Sequence, residues 1–295
     1  MAVVFVCVVF LLSIVIWSIR RHRDPKLHTE CGSPIRRTIR EVVMNFWART
    51  IAVMIASIAG GAMSHAAELT VLASQGNLPG VNELASAFAR ASGHKVTVLQ
   101  EVSKALEQRL SNGPADLITG NPPMMEELLK KGQLVAGTAT PFMLAGLGVS
   151  VRAGAPKPNI STVEAYTKTL LAAKSIGYSR GCSGQHVAQG IAQLGLTEQL
   201  KPKIVLTGGG TGPVTFFLAR GDFELGIQQT NIMVGAPGTD FVGPVPGSVN
   251  IPCPNSVGLL TVSKERDAAQ AMIKFMISPA AAPLLRKVHE EPAKD

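Results

Sequence analysis

The chain has 295 residues, 46% hydrophobic and 16% charged, with a positive mean hydropathy, a balance that excludes a disordered or fibrous polypeptide. Its formal net charge is +8, but residues 1–66 carry eight Lys/Arg against three Asp/Glu and so hold five of those charges. The remainder is only mildly basic, which removes the main argument for a nucleic-acid partner.

Two apolar stretches open the chain. Ala2 to Ile19 is uncharged and precedes Arg20, Arg21 and Arg23, long enough for a short membrane span with basic residues on its cytoplasmic side. The second stretch reads as a secretory signal. Met44 to Arg49 supplies a short basic start, Thr50 to Met63 an apolar, small-residue run, and Ser64-His65-Ala66 a small-x-small cleavage site. Residues 44–66 are therefore expected to be a signal peptide, with the exported chain beginning near Ala67. Residues 1–43 are either an over-extended start upstream of Met44 or a membrane anchor. Both alternatives place the body in the periplasm.

Past the leader, Glu68 to Ala73 is a short apolar strand. Pro79 to Ser92 sets Val81, Leu84, Ala85 and Phe88 at helical spacing, and Gly93 stops it. Lys95 to Leu99 is a second strand, followed by a helix over about 103–110. Asp116 to Thr119 is a third strand, and Met124 to Lys131 a helix ending at Gly132. This rhythm argues for βαβ units on a mainly parallel sheet.

Pro141 to Arg152 is an unusually long apolar strand. Beyond it come a helix at Thr162 to Ala173, a strand at Ser175 to Tyr178, a helix at Ser183 to Leu194 and a strand at Ile204 to Leu206. The glycine-rich 208–212 leads into a helix at Val214 to Ala219, then a strand at Leu225 to Gln228. Val249 to Thr261 reads as a return strand pair, and helices at Ala268 to Met276 and Ala280 to Val288 close the chain. Two βα clusters joined by extended crossings predict two α/β lobes with a ligand cleft between them. Residues 67–145 with 249–295 are assigned to lobe I, and 146–248 to lobe II.

Ligands in open α/β sheets sit at the carboxyl ends of strands, where loops meet helix N-termini. Three such loops stand out: Ala73 to Asn77, Glu101 to Ser103, and Ser179 to His186. Hydroxyls and N–H groups at helix starts favour an anion, although Ser103 and Ser183 serve equally well as N-caps. Arg180 is positioned to clamp a carboxylate in bidentate fashion, the alternative being a solvated loop arginine. His186, near a helix start, is expected to be neutral and able to act as a base, or else to be a structural histidine. Cys182 in the same loop is read as structural, because no catalytic partners can be placed for it.

Cys182 and Cys253, the two cysteines beyond the leader, are either one disulfide or two free thiols. His94, His186 and His289 are too scattered to read as a metal site. Gly208 to Gly212 lacks the Gly-Lys-Ser/Thr ending of a nucleotide-binding loop. Gln228 and Gln229 end a strand and can offer amides to a polar ligand. No metal and no cofactor are expected, and the chain is expected to act as a monomer.

One resemblance spans about residues 68–288. It rests on ELTVLASQG, GHKVTV, Val102-Ser103 before a helix, GPADLITG, MMEELLKKGQLV, SVRAGAPKPNISTVEAY, LLAAKSIGYSRGCSGQH, ARGDFELGIQQTN and PGTDFVGPVPGSVN. In this ordered set the chain resembles periplasmic solute-binding proteins of the molybdate-binding type. The resemblance implies a bilobal type 2 periplasmic-binding-protein fold, with Ser74 and Ser103 at positions that hold an oxyanion in that family. The chain departs from the molybdate binders where Ala73-Ser74-Gln75 replaces Ala-Ser-Leu and where Gln228-Gln229 replaces a tyrosine. Those proteins use neutral donors, whereas Arg180 adds a charge, so molybdate is not the expected ligand. The RAGAPKP, STVEAY and ELGIQQ segments are similar to a branch that includes periplasmic aconitate isomerase.

Two functions follow as expectations. The first is capture of a small anion, a carboxylate or a molybdate-like oxyanion, by Ser74, Gln75, Ser103, Arg180, Ser183 and Gln229 for delivery to an inner-membrane ABC permease. The second is isomerisation of trans- and cis-aconitate on the same scaffold. There His186 would be the base, with Ser103 or Ser183 as an auxiliary donor.

Overall fold

A computed structural model describes residues 66–100, 109–110, 113, 115–208 and 212–293. The signal and leader assignments up to residue 65, Ser103, most of the helix expected around it, and residues 209–211 of the glycine-rich turn lie outside the described residues.

The chain enters the first sheet at β1 (Glu68–Ala73), makes a 3-10 turn (Gln75–Asn77) and runs into α1 (Leu78–Ser92). Pro79 sits in the first turn of α1, where its missing N–H costs nothing, and Gly93 ends the helix at φ 76°. Next come β2 (Lys95–Gln100), β3 (Leu117–Gly120) and α2 (Pro122–Lys130). Asn121 caps α2 by accepting the Met124 N–H at 3.2 Å. The expected long strand is two: β4 (Thr140–Ala145) ends the first visit to this sheet, and β5 (Leu147–Arg152) begins a second sheet after Gly146.

The second sheet is completed by α3 (Val163–Ala172), β6 (Ile176–Ser179), α4 (Cys182–Gln193), α5 (Thr197–Leu200), β7 (Ile204–Thr207), α6 (Val214–Arg220), β8 (Leu225–Gln229), α7 (Thr230–Met233) and β9 (Thr239–Pro244). The chain then returns through a 3-10 turn (Gly247–Val249) to the first sheet. There it forms β10 (Cys253–Leu259), α8 (Arg266–Met276), α9 (Ala281–Lys287) and β11 (Glu291–Pro292). The expected strand pair at 249–261 is thus one strand. The strand at 239–244 was hidden by its flanking glycines and prolines.

The strand orders are β11-β4-β10-β3-β1-β2 and β7-β6-β8-β5-β9. Contrary to the mainly parallel expectation, both sheets are mixed. β1 is parallel to β2 and β3, and β6 to β7 and β8; β10 runs antiparallel to β3 and β4, and β5 to β8 and β9. The reason lies in the connections. A parallel neighbour needs a crossover helix, and β5 and β10, each antiparallel to its neighbours on both sides, are reached by crossings that lack an α-helix.

Helices cover both sheets. Val81, Leu84 and Phe88 of α1 pack with Ala269, Met272 and Met276 of α8 on one face of the first sheet. Met125 and Leu128 of α2 pack with Leu72 and Ile118 on the other. In the second sheet Tyr166, Leu170, Val187 and Ile191 form one cluster, and Val214, Leu218 and Phe223 the other. Burying a leucine such as Leu84 contributes roughly 2–5 kcal/mol by the cost of its truncation to Ala.

The chain crosses between the sheets at Gly146 and between Pro244 and Cys253. One side chain ties these two crossings together. Asn250 accepts the Leu147 N–H at 2.8 Å and donates to the Val245 carbonyl at 2.9 Å and, more weakly, to that of Leu147 at 3.4 Å. The Thr230 N–H adds a 2.8 Å bond to the Gly146 carbonyl. These bonds hold the two crossings side by side at the end of the second sheet.

Candidate functional site

The carboxyl ends of β1, β3, β6, β7 and β8 open onto one cavity of about 240 Å³. That is below the ~300–1,000 Å³ of a drug-sized pocket, so it suits a small ligand. A larger cavity of about 600 Å³ lies between α3 and residues 155–159, at the amino-terminal end of β8, away from where such sheets place ligands.

The first sheet contributes Ser74, Gln75 and Gly76 after β1, Gly120 and Asn121 after β3, and Asn255 on β10. Their positions are set from below by a buried amide chain. Asn77 donates to Asn255 Oδ1 at 2.9 Å, and Thr119 Oγ1 donates to Asn77 Oδ1 at 3.0 Å. Each buried amide oxygen thereby has a donor, the condition for keeping such groups out of water. The second sheet contributes Ser179, Gly181, Cys182, Ser183, Gln228 and Gln229.

The Ser179 to Ser183 turn shows why its glycines are there. A Cβ on Gly184 would run into the Ser179 carbonyl, so only glycine lets the first turn of α4 rest on the end of β6. The α4 cap is Gly181, not Ser183, and among the described residues no side-chain cap bonds the start of this helix. Ser183 is instead in the helix, 2% exposed, with its hydroxyl 3.2 Å from that of Ser179. The start of α4 thus meets the cavity with uncapped N–H groups and the positive end of its dipole.

Gln228 and Gln229 divide their work. Gln228 Oε1 accepts the Val214 N–H at 2.9 Å and so caps α6. Gln229 reaches across to the first sheet, where a Cβ on Gly76 would stand 2.5 Å from its Nε2. Behind this contact Asn231 donates to the Gly76 carbonyl at 3.0 Å and to Glu290 Oε1 at 2.6 Å. Glu290 Oε1 also accepts the Gly80 N–H at 3.2 Å, while Glu290 Oε2 and Asn231 Oδ1 are buried without partners among the described residues. Burial pushes the Glu290 carboxyl up to about 8, against the pull of its two donors.

The structure places Ser74, Gln75, Ser183 and Gln229 in the lining of this one cavity. It does not bring in Arg180, whose side chain is exposed and outside the cavity lining: of the turn from Ser179 to Ser183, Arg180 alone lies outside the lining that its neighbours form. His186 lies one helical turn further along α4 and is not part of the lining either. Its Nδ1 stands 3.1 Å from the Ile251 carbonyl and 3.6 Å from Cys253 Sγ.

Cys182 and Cys253 are free thiols, and with His186 their donor atoms lie within 4.8 Å of one another. The two cysteines and one of the scattered histidines are therefore a cluster. A hydrogen bond from the Cys253 thiol pulls the Cys182 thiol down, and the same bond together with burial pushes Cys253 up.

Sequence reasoning missed Asn121, Asn255 and the Asn231–Glu290 pair. Asn121 carried a usable signal, an Asn-Pro start directly after the strand LITG. The others become neighbours only through long-range folding.

The comparisons with known proteins agree with this architecture. The model of bacterial extracellular solute-binding proteins matches residues 69–289. The chain belongs to that family. An aconitate isomerase from Pseudomonas sp. is 30% identical over 223 residues, covering 72% of this chain and 84% of that protein. The molybdate-binding protein ModA of Azotobacter vinelandii is 25% identical over 234 residues, covering 76% and 89%. In fold, the sulfate-binding protein SubI of Mycobacterium tuberculosis superposes with a TM-score of 0.60 at 18% identity, covering 77% of this chain and 88% of that one. The fold is the bilobal type 2 periplasmic-binding-protein fold.

Proposed function

We propose that the protein is an exported solute-binding protein that captures a small anion between its two sheets and presents it, as a monomer, to an ABC permease. The observation that carries this is the composition of the cavity. Among its described lining residues the polar groups are Ser, Gln and Asn side chains with the uncapped start of α4, and Cys182 is the one titratable group. Neutral donors aimed into a recess stabilise an anion without a fixed counter-charge, because N–H and O–H dipoles and a helix N-terminus replace its hydration shell. Ser74, Gln75, Ser183 and Gln229 are the proposed ligand donors, and the sequence resemblance adds Ser103. The leader at residues 44–66 supplies the export signal in this reading.

Aconitate isomerisation is the second reading, supported by the 30% identity to an aconitate isomerase. It needs a group that removes a proton and one that returns it. His186 can serve as that base only by turning from the Ile251 carbonyl toward the cavity.

Catalytic amounts of protein mixed with trans-aconitate and followed by proton NMR separate the two readings. Binding alone broadens the trans-aconitate lines without conversion, which is the expected result. Growth of cis-aconitate signals to a plateau would replace the binding reading with the enzymatic one, and His186→Ala would then abolish turnover.

A further inference from the structure

Cys182 is the first residue of α4 and His186 lies four residues on, so both stand on one face of the helix, one turn apart. Cys253 is the first residue of β10, in the other sheet. The three donor atoms fall within 4.8 Å of one another, and His186 Nδ1 is 3.6 Å from Cys253 Sγ. A tetrahedral zinc ion with bonds of about 2.3 Å to sulfur and about 2.0–2.1 Å to nitrogen sets its donors roughly 3.5–3.8 Å apart. The Nδ1–Sγ separation already matches, and the widest pair needs to close by about 1 Å at most.

We propose that Cys182, His186 and Cys253 form a binding site for a thiophilic divalent cation of the zinc type. Two thiolates and an imidazole suit zinc and do not suit calcium or magnesium, which take oxygen ligands. The uncapped start of α4 favours the thiolate at Cys182. Coordination releases the thiol protons, and the imidazole proton moves to Nε2 as Nδ1 gives up the Ile251 carbonyl for the metal. Three protein ligands leave a fourth position. Of the three ligands Cys182 also lines the anion cavity, so that position is available to water or to an oxygen of the bound anion. Because α4 and β10 belong to different sheets, the ion also ties the two together. The competing outcome is a disulfide between the same sulfurs. The third donor, His186, is placed against Cys253 and has no part in a disulfide, which favours the metal.

The test is a cobalt(II) titration of the protein, reduced with a phosphine and kept free of oxygen. The expected result is a 1:1 endpoint with a thiolate-to-cobalt charge-transfer band, displaced by one equivalent of zinc. Cys253→Ser should lose much of that band, and His186→Ala, which removes a direct ligand, should weaken binding by more than the roughly 10- to 100-fold that loss of an outer-shell partner costs while keeping the band. Circular dichroism checks that both variants are folded, and Cys182→Ser serves if Cys253→Ser is not. Absence of the band at stoichiometric cobalt overturns the proposal. So does formation in air, with zinc present, of a species 2 Da lighter with no free thiol.

Discussion

Glu290 offers the sharpest test of the physical account behind the cleft. Its carboxylate is buried, with Oε1 held by Gly80 and Asn231 and Oε2 without a partner among the described residues. Burial raises it from an ordinary 4.5 to about 8, so near neutral pH the folded protein holds a proton that the unfolded chain has released. The sign follows from linkage. A carboxyl whose folded value is raised costs nothing below the unfolded value, and its penalty grows as pH rises from about 4.5 to about 8. Above that the penalty is constant. The gap corresponds to about 5 kcal/mol as an upper limit. Glu290→Gln keeps an oxygen for Gly80 and Asn231 and removes the titration. Urea unfolding of both proteins from pH 4.5 to 9 is the assay. The wild type should lose stability relative to Glu290→Gln across that window, by up to several kcal/mol. Parallel curves, or a wild type that gains on the variant as pH rises, would refute a buried protonated Glu290.

Other predictions follow from single contacts. Asn250→Ala removes the hydrogen bonds that tie the two crossings together, and should cost roughly 1–3 kcal/mol in urea unfolding. Gly76→Ala places a methyl against Gln229 Nε2; calorimetry should show at least about tenfold weaker anion binding, the ~1.4 kcal/mol of one displaced hydrogen bond. Arg180→Ala should change anion affinity less than about threefold, as for an exposed charge outside the cavity. A loss of a hundredfold would return Arg180 to the site.

The sequence was legible where the physics is local. Helical spacing of Val81, Leu84 and Phe88, the stop at Gly93 and the strand–helix rhythm all depend on neighbours within one or two turns, and they placed most elements within a residue or two. The run 141–152 reads as one strand although the lobe assignment changes at 146, and its division into two strands was not legible. An apolar run reads the same whether it stays in one sheet or steps to another, and the bonds that divide it come from Asn250 and Thr230, distant in the chain. At the site, the loops after β1 and β6 were found because helix starts mark them. Arg180 was expected in the lining and is exposed outside it, because a side chain's direction in a tight turn is set by the packing of Ser179, Ser183 and Gly184, which sequence does not display. The Cys182–His186–Cys253 cluster joins two sheets and shows only half its pattern, the Cys-x-x-x-His of α4, in the sequence.

The central claim is that neutral donors from both sheets hold a small anion. Calorimetric titration of the wild type and Gln229→Ala with molybdate, sulfate and trans-aconitate tests it most directly. The account predicts one-to-one binding of at least one of these anions, weakened at least about tenfold in Gln229→Ala, the loss of one donor to a charged group. No binding of any of the three, or equal affinity in the two proteins, would contradict it.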